Sequence, residues 1–192
     1  MDTYHVVLYM HVLSLLVGFG AGMIESVCLF RLRAAGTLEA AAPWGQLAGE
    51  IEKAFPVAIV GLFATGAYMT SDVWTWSASW VVLSIVGLAV LSVQGPLVAG
   101  RRGHAVKEAL MANGPGALSP EARRMTRDRA LWTAGMTNEA LVLGIIWVMI
   151  EKPGWAGGIA TLVVAYAVGV LLAARFTREP APEAAPAARS TG

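Results

Sequence analysis

The chain has 192 residues, of which 56% are hydrophobic and 14% are charged, and its formal net charge is +1. Soluble domains carry roughly 25% charged residues, so this composition argues against a soluble fold. The small net charge gives no reason to expect nucleic acid as a partner. At this length we expect one membrane-embedded domain, a helical bundle at residues 1–178, followed by a disordered proline- and alanine-rich cytoplasmic tail at residues 179–192.

Five apolar runs are long enough to cross a bilayer. A hydrocarbon core of about 30 Å requires about 20 mostly apolar residues in a helix, and in lipid every backbone amide needs an internal partner. The runs cover residues 4–30, 54–70, 79–100, 131–150 and 154–174. The second helix is expected to begin earlier, near Pro43. The sequence therefore predicts an all-α, multi-pass bundle of about five transmembrane helices in contact with lipid.

The basic residues predict the orientation of the bundle. Every lysine and arginine except Lys152 follows span one, three or five. The positive-inside rule then places the N-terminus outside and the C-terminus in the cytoplasm. Tryptophans are expected at both membrane boundaries, with Trp44 and Trp132 at the inner one.

The connection between spans three and four predicts a helical hairpin in the cytoplasm. Span three can continue to Ala112, and the segment NGPG at residues 113–116 would stop it. Ser119 then resembles an N-cap with Pro120 at the first helical position. We expect the fourth helix to start there and to enter the membrane at Leu131.

Two stripes of small residues predict helix contact faces. In membranes, small residues at spacing four let helix backbones approach closely. The pattern does not say whether the partner helix belongs to the same chain, to a second copy or to another subunit. We expect a homo-oligomer or a subunit of a larger membrane complex. The stripes are Ser14, Gly18 and Gly22 in span one, and Gly157, Thr161, Ala165 and Gly169 in span five.

His11 is the candidate ligand within the membrane. Ionisable residues inside a span are costly and mark functional sites, and a neutral imidazole binds haem iron or copper. Met69 and Met149 end spans two and four at a comparable depth, and thioethers suit Cu(I). The alternative is a histidine hydrogen-bonded to a neighbouring helix. Copper or haem b is therefore the cofactor to test, with haem needing a methionine, an open axial position or a second subunit.

Glu25 and Glu139 are candidates for a proton or ion relay. Glu25 shares the face of His11 but lies about 21 Å away along the helix, so we expect the two residues to belong to different sites. Glu139 lies about two turns inside span four. Its alternative role is structural, in a pair with Arg127, Arg129, Lys53 or a polar group of span one.

Four short segments resemble a family of small bacterial integral membrane proteins of unknown function, which is distantly similar to the membrane domain of copper-resistance protein D. The segments are YMHVL at residues 9–13, TGAYM at 65–69, ASW at 78–80 and VMIEKP at 148–153. The resemblance implies a location in the bacterial inner membrane and a role near copper or haem chemistry. His11 is the one position to which it assigns a function.

Three functions follow as hypotheses. The first is a haem- or copper-binding module that acts in redox chemistry or metal handling through His11. The second is a non-catalytic accessory or assembly subunit of a larger membrane complex. The third is a small proton-coupled transporter or channel that uses Glu25 and Glu139. Without a recognisable catalytic motif, the sequence favours a non-enzymatic role but does not decide it.

Overall fold

A computed structural model describes residues 2–177; the tail predicted at residues 179–192 lies outside this range. Within it the chain forms eight α-helices and one π-helical segment, Gly95–Gly100, which joins α4 to α5. The helices are α1 (Thr3–Ala34), α2 (Leu38–Ile51), α3 (Ala54–Asp72), α4 (Ser79–Gln94), α5 (Arg101–Met111), α6 (Pro120–Thr126), α7 (Arg129–Glu151) and α8 (Trp155–Thr177).

Five stretches of the described chain are helical, long and apolar enough to cross a membrane. This confirms the predicted all-α bundle with five spans. The two ends of the bundle are called outer and cytoplasmic according to the orientation that the charge pattern predicts. The stretches are Thr3–Ala34, Leu38–Asp72, Ser79–Met111, Pro120–Glu151 and Trp155–Thr177.

The second span begins earlier than predicted and is interrupted. Its helix starts at Leu38 rather than near Pro43, because the Thr37 side chain accepts a hydrogen bond from the backbone N–H of Ala40 and so caps the helix. The chain then turns at residues 52–53 before α3 begins.

The fourth span also differs from the prediction. Ser119 caps α6 and Pro120 is its first residue, as predicted. The helix nevertheless ends at Thr126, and a new helix starts after Asp128, whose carboxylate accepts a hydrogen bond from the backbone N–H of Leu131 at 2.9 Å. The expected single helix from Pro120 into the membrane is therefore wrong.

Trp132 lies in the packed core at the cytoplasmic end instead of at the lipid boundary. Its side chain is fully buried, and its indole N–H donates to the backbone carbonyl of Thr126 at 3.1 Å. Leu32, Val106 and Leu131 belong to the same buried cluster. The prediction of an interfacial Trp132 is wrong, because the cytoplasmic hairpin folds back over this end of the bundle and covers it.

The transmembrane helices form two halves. One half pairs α1 with α3, and the other packs α4 and α8 against α7, whereas α3 and α4 touch little. In the first half, a Cβ added to Gly18 would lie 3.0 Å from the Cβ of Ala58. The imperfect closure between the halves leaves the space described below.

The stripe of span five lies against α7 of the same chain. A Cβ added to Gly169 would lie 2.6 Å from the Cα of Thr137, and one added to Gly144 would lie 2.8 Å from the Cβ of Ala165. Gly157 instead faces Pro153, in the turn before α8 begins, and the hydroxyl of Thr161 donates to the carbonyl of Gly157.

Candidate functional site

A cavity of about 570 Å³ lies between the two halves of the bundle. It runs from Trp80 and Lys152 at the outer end to Glu52 and Gly100 at the cytoplasmic end, with walls supplied mainly by apolar side chains of α1, α3, α4 and α7. Pockets for small molecules usually measure about 300–1,000 Å³ and are mostly apolar with a few polar groups. This cavity is therefore the candidate site, and we refer to it as the central cavity.

His11 lies on the wall of the central cavity and is only 8% exposed. Its Nδ1 is 2.8 Å from the hydroxyl oxygen of Thr65. The hydroxyl of Thr65 donates to the carbonyl of Gly61 at 2.5 Å, one turn earlier in α3, so its oxygen is left to accept. We therefore assign the proton to Nδ1, which leaves Nε2 with a free lone pair.

Gly61 lets α1 and α3 approach closely enough for this contact. Ser14 lies against Gly61, at a position that a side chain would fill. A Cβ on Gly66 would lie 3.4 Å from Cε1 of His11, an ordinary van der Waals distance, so the imidazole lies beside this position without requiring glycine there. The helix pairing thus fixes the position of the ring.

The structure brings the predicted metal ligands to one space. His11, Met69 and Met149 all line the central cavity. Among residues 2–177, no group of three histidine, cysteine, aspartate or glutamate side chains is arranged to hold a metal ion. The ligands that the sequence predicts for a metal in this cavity are one imidazole and two thioethers.

Glu25 and Glu139 line the same cavity, nearer its cytoplasmic end. His11 and Glu25 therefore line one cavity, but about 21 Å of helix separates them, and their assignment to different sites stays a prediction. Within the described chain Glu139 forms no ion pair with Arg127 or Arg129, and its buried Oε2 has no hydrogen-bond partner. Its other carboxylate oxygen occupies the space where Gly22 has no side chain.

A polar cluster on the other side of α7 ties three helices together. The amide nitrogen of Gln94 donates to the Thr137 hydroxyl at 2.6 Å and to Oδ1 of Asn138 at 3.0 Å. Its carbonyl oxygen accepts from the hydroxyl of Tyr166 at 3.1 Å. Asn138 also lines the central cavity, so this cluster fixes the wall that carries Glu139.

Sequence reasoning missed several polar residues of the central cavity. Thr65 orients His11, and Ser84 has a buried hydroxyl oxygen without a hydrogen-bond partner in the described structure. Glu52 and Lys152 line the two ends of the cavity. The sequence does set Lys152 apart, because it is the one basic residue that the charge pattern places on the outer side.

Residues 5–153 match the model of a family described as "Predicted integral membrane protein (DUF2269)". The chain belongs to this family. The matched residues include every residue that lines the central cavity except Tyr4, and the match ends before α8 begins. No curated protein matches the chain, and no solved structure matches it. The family description supports an integral membrane protein; the similarity to copper-resistance protein D stays a prediction.

Proposed function

We propose that this protein is a redox module of the bacterial inner membrane that holds haem b in the central cavity through His11. The observation that carries the proposal is the hydrogen bond between Thr65 and Nδ1 of His11. Histidines that bind metals usually donate the other ring N–H to a neighbouring group, which fixes the ring and its tautomer. Here that arrangement leaves Nε2 as the ligand atom.

The properties of the central cavity fit haem b. Its volume is about 570 Å³ and its walls are mainly apolar, as a largely apolar cofactor requires. His11 and either Met69 or Met149 would hold the haem iron, and a histidine–methionine pair raises the reduction potential in haem proteins. Bound haem would supply one-electron chemistry; the chain supplies the ligand, its orientation and the exclusion of water.

Copper is the alternative occupant of the same residues. Thioether and imidazole ligands suit Cu(I), and His11, Met69 and Met149 line one cavity. In that case the protein would handle metal rather than transfer electrons. Titration with each cofactor separates the two cases.

The test is cofactor uptake by the detergent-purified protein. Wild type is expected to bind one haem with the absorption spectrum of a coordinated iron, whereas His11→Ala loses that spectrum. His5→Ala is the matched control, because His5 lies on the same helix with a side chain that is 70% exposed. Wild type that takes up neither haem nor Cu(I), or His11→Ala that binds like wild type, would overturn the proposal.

A proton-coupled transporter is the second candidate, and one observation favours it. The central cavity extends over the depth of the bundle, with Glu25 and Glu139 on its walls. If the carboxylates carry protons, Glu25→Gln and Glu139→Gln abolish proton flux into reconstituted vesicles, while Glu108→Gln on the exposed cytoplasmic hairpin does not. Equal flux in all variants would eliminate this function.

The third hypothesis, an accessory subunit, gains no separate support from the small-residue stripes. Gly18 and Gly22 lie against residues of α3 and α7, and Ala165 and Gly169 lie against α7. Within the described chain these contacts account for the span-one stripe and for the cytoplasmic half of the span-five stripe, whereas Gly157 and Thr161 contact their own segment. The stripes therefore need no second subunit to explain them.

A further inference from the structure

The charged groups of the central cavity are separated along its length. Lys152 lies at the outer end, whereas Glu25, Glu52 and Glu139 lie towards the cytoplasmic end. Among the cavity-lining residues in the described chain, Lys152 is the one lysine or arginine. A ligand with an acidic end would therefore meet a positive charge at one end of the cavity and only carboxyl groups at the other.

The ammonium group of Lys152 is held at the outer mouth by aromatic rings. Its Nζ lies 4.0 Å from the ring centroid of Trp74 and 5.5 Å from that of Trp80. The two rings meet edge to face with centroids 5.2 Å apart. Cation–π contacts of this kind hold a charge in place without neutralising it, and no ion pair of Lys152 occurs in the described residues.

The backbone around Lys152 is fixed as well. Lys152 ends α7 in the left-handed conformation with φ of 48°, and its N–H donates to the carbonyl of Val148 at 3.0 Å. The hydroxyl of Ser79 donates to the carbonyl of Pro153 at 2.8 Å, which ties this turn to the start of α4. The turn thus carries the ammonium group over the mouth of the cavity.

We propose that Lys152 binds the carboxylates of an amphipathic ligand that occupies the central cavity, and so orients the ligand with its acidic end outward. The inference rests on the proposed haem function and deepens it: the propionate groups of haem b lie at the outer mouth beside Lys152. The opposite orientation would bring those groups towards Glu25, Glu52 and Glu139, which offer them no positive charge.

The experiment compares haem b with its dimethyl ester, which lacks the carboxylates. The measurement is the ratio of the two dissociation constants for the full-length protein in detergent. Wild type is expected to bind the acid about fivefold more tightly than the ester, as a partly screened charge-assisted contact predicts. Lys152→Asn is expected to bring the ratio to about one, because the charge that distinguishes the acid from the ester is lost. Asparagine is used because it tolerates the left-handed conformation of this position.

The controls separate this inference from the haem proposal. Lys152→Arg keeps the charge and retains the wild-type ratio, and so does Lys53→Asn on the cytoplasmic side. His11→Ala weakens acid and ester together and leaves their ratio unchanged. A ratio of one in wild type, or a wild-type ratio in Lys152→Asn, overturns the role of Lys152 while haem binding through His11 still stands. Wild type that binds neither compound overturns both proposals.

Discussion

Replacing Thr65 by valine tests the arrangement that makes His11 a ligand. Valine has nearly the shape of threonine but cannot accept the hydrogen bond from Nδ1, which spans 2.8 Å in the wild type. The ring is only 8% exposed, so water does not readily replace the lost acceptor. Leaving the buried Nδ1–H without an acceptor costs about 1–3 kcal/mol, and loss of a group that orients a ligand typically lowers affinity about 10- to 100-fold.

The assay is a haem titration of wild type, Thr65→Val and Thr65→Ser under identical conditions. Thr65→Ser is the matched control, since it keeps the hydroxyl that accepts from His11. We expect Thr65→Val to bind haem at least tenfold more weakly and Thr65→Ser to bind close to wild type, with both variants folded by circular dichroism. If Thr65→Val binds haem as tightly as wild type, the hydrogen bond does not prepare His11 as a ligand.

Three further predictions concern the bundle itself. Gly169→Ala should lower the thermal midpoint, because the new Cβ would lie 2.6 Å from the Cα of Thr137 and overpacking costs about 1–3 kcal/mol; Gly20→Ala, with no neighbour within 4 Å, is the control and should leave it unchanged. Gln94→Leu should destabilise the bundle by about 1 kcal/mol in a denaturant titration, since it removes hydrogen bonds between helices; unchanged stability would contradict a structural role. Reporter fusions should find the N-terminus outside and the C-terminus in the cytoplasm, and both ends on one side would refute the five-span topology.

The five spans could be predicted because hydrocarbon thickness and backbone hydrogen bonding leave few alternatives to long apolar helices. The interruptions were harder to predict. No role was predicted for Asp128 from the sequence, yet its carboxylate caps the start of α7. Similarly, Thr37 starts α2 before the residues that hydropathy would select. Local capping chemistry is short-ranged and is easily hidden in a polar segment.

The candidate site could be predicted only in part. His11, Glu25 and Glu139 stand out because an ionisable side chain within a span is rare. Thr65 does not, since threonine in a membrane helix commonly bonds to its own backbone, as it also does here with Gly61. Its second role depends on how α1 meets α3. Sequence spacing along one helix cannot supply that relation.

The sequence also could not predict that His11 and Glu25 line the same cavity. Distance along α1 separates His11 from Glu25, which suggested two sites. The cavity joins them because the α1–α3 half closes incompletely against the half built on α7. Lys152 was noted only as the exception to the charge bias, although its loop folds over the outer mouth.

The most direct test of the haem proposal is to identify the iron ligand. Protein grown with ¹⁵N-labelled histidine and loaded with ferric haem would be studied by electron–nuclear double resonance, using His11→Ala and His5→Ala for comparison. A ¹⁵N coupling to the iron in wild type and His5→Ala, absent from His11→Ala, is the predicted result. Bound haem without a histidine coupling in wild type, or with an unchanged coupling in His11→Ala, would contradict the central claim.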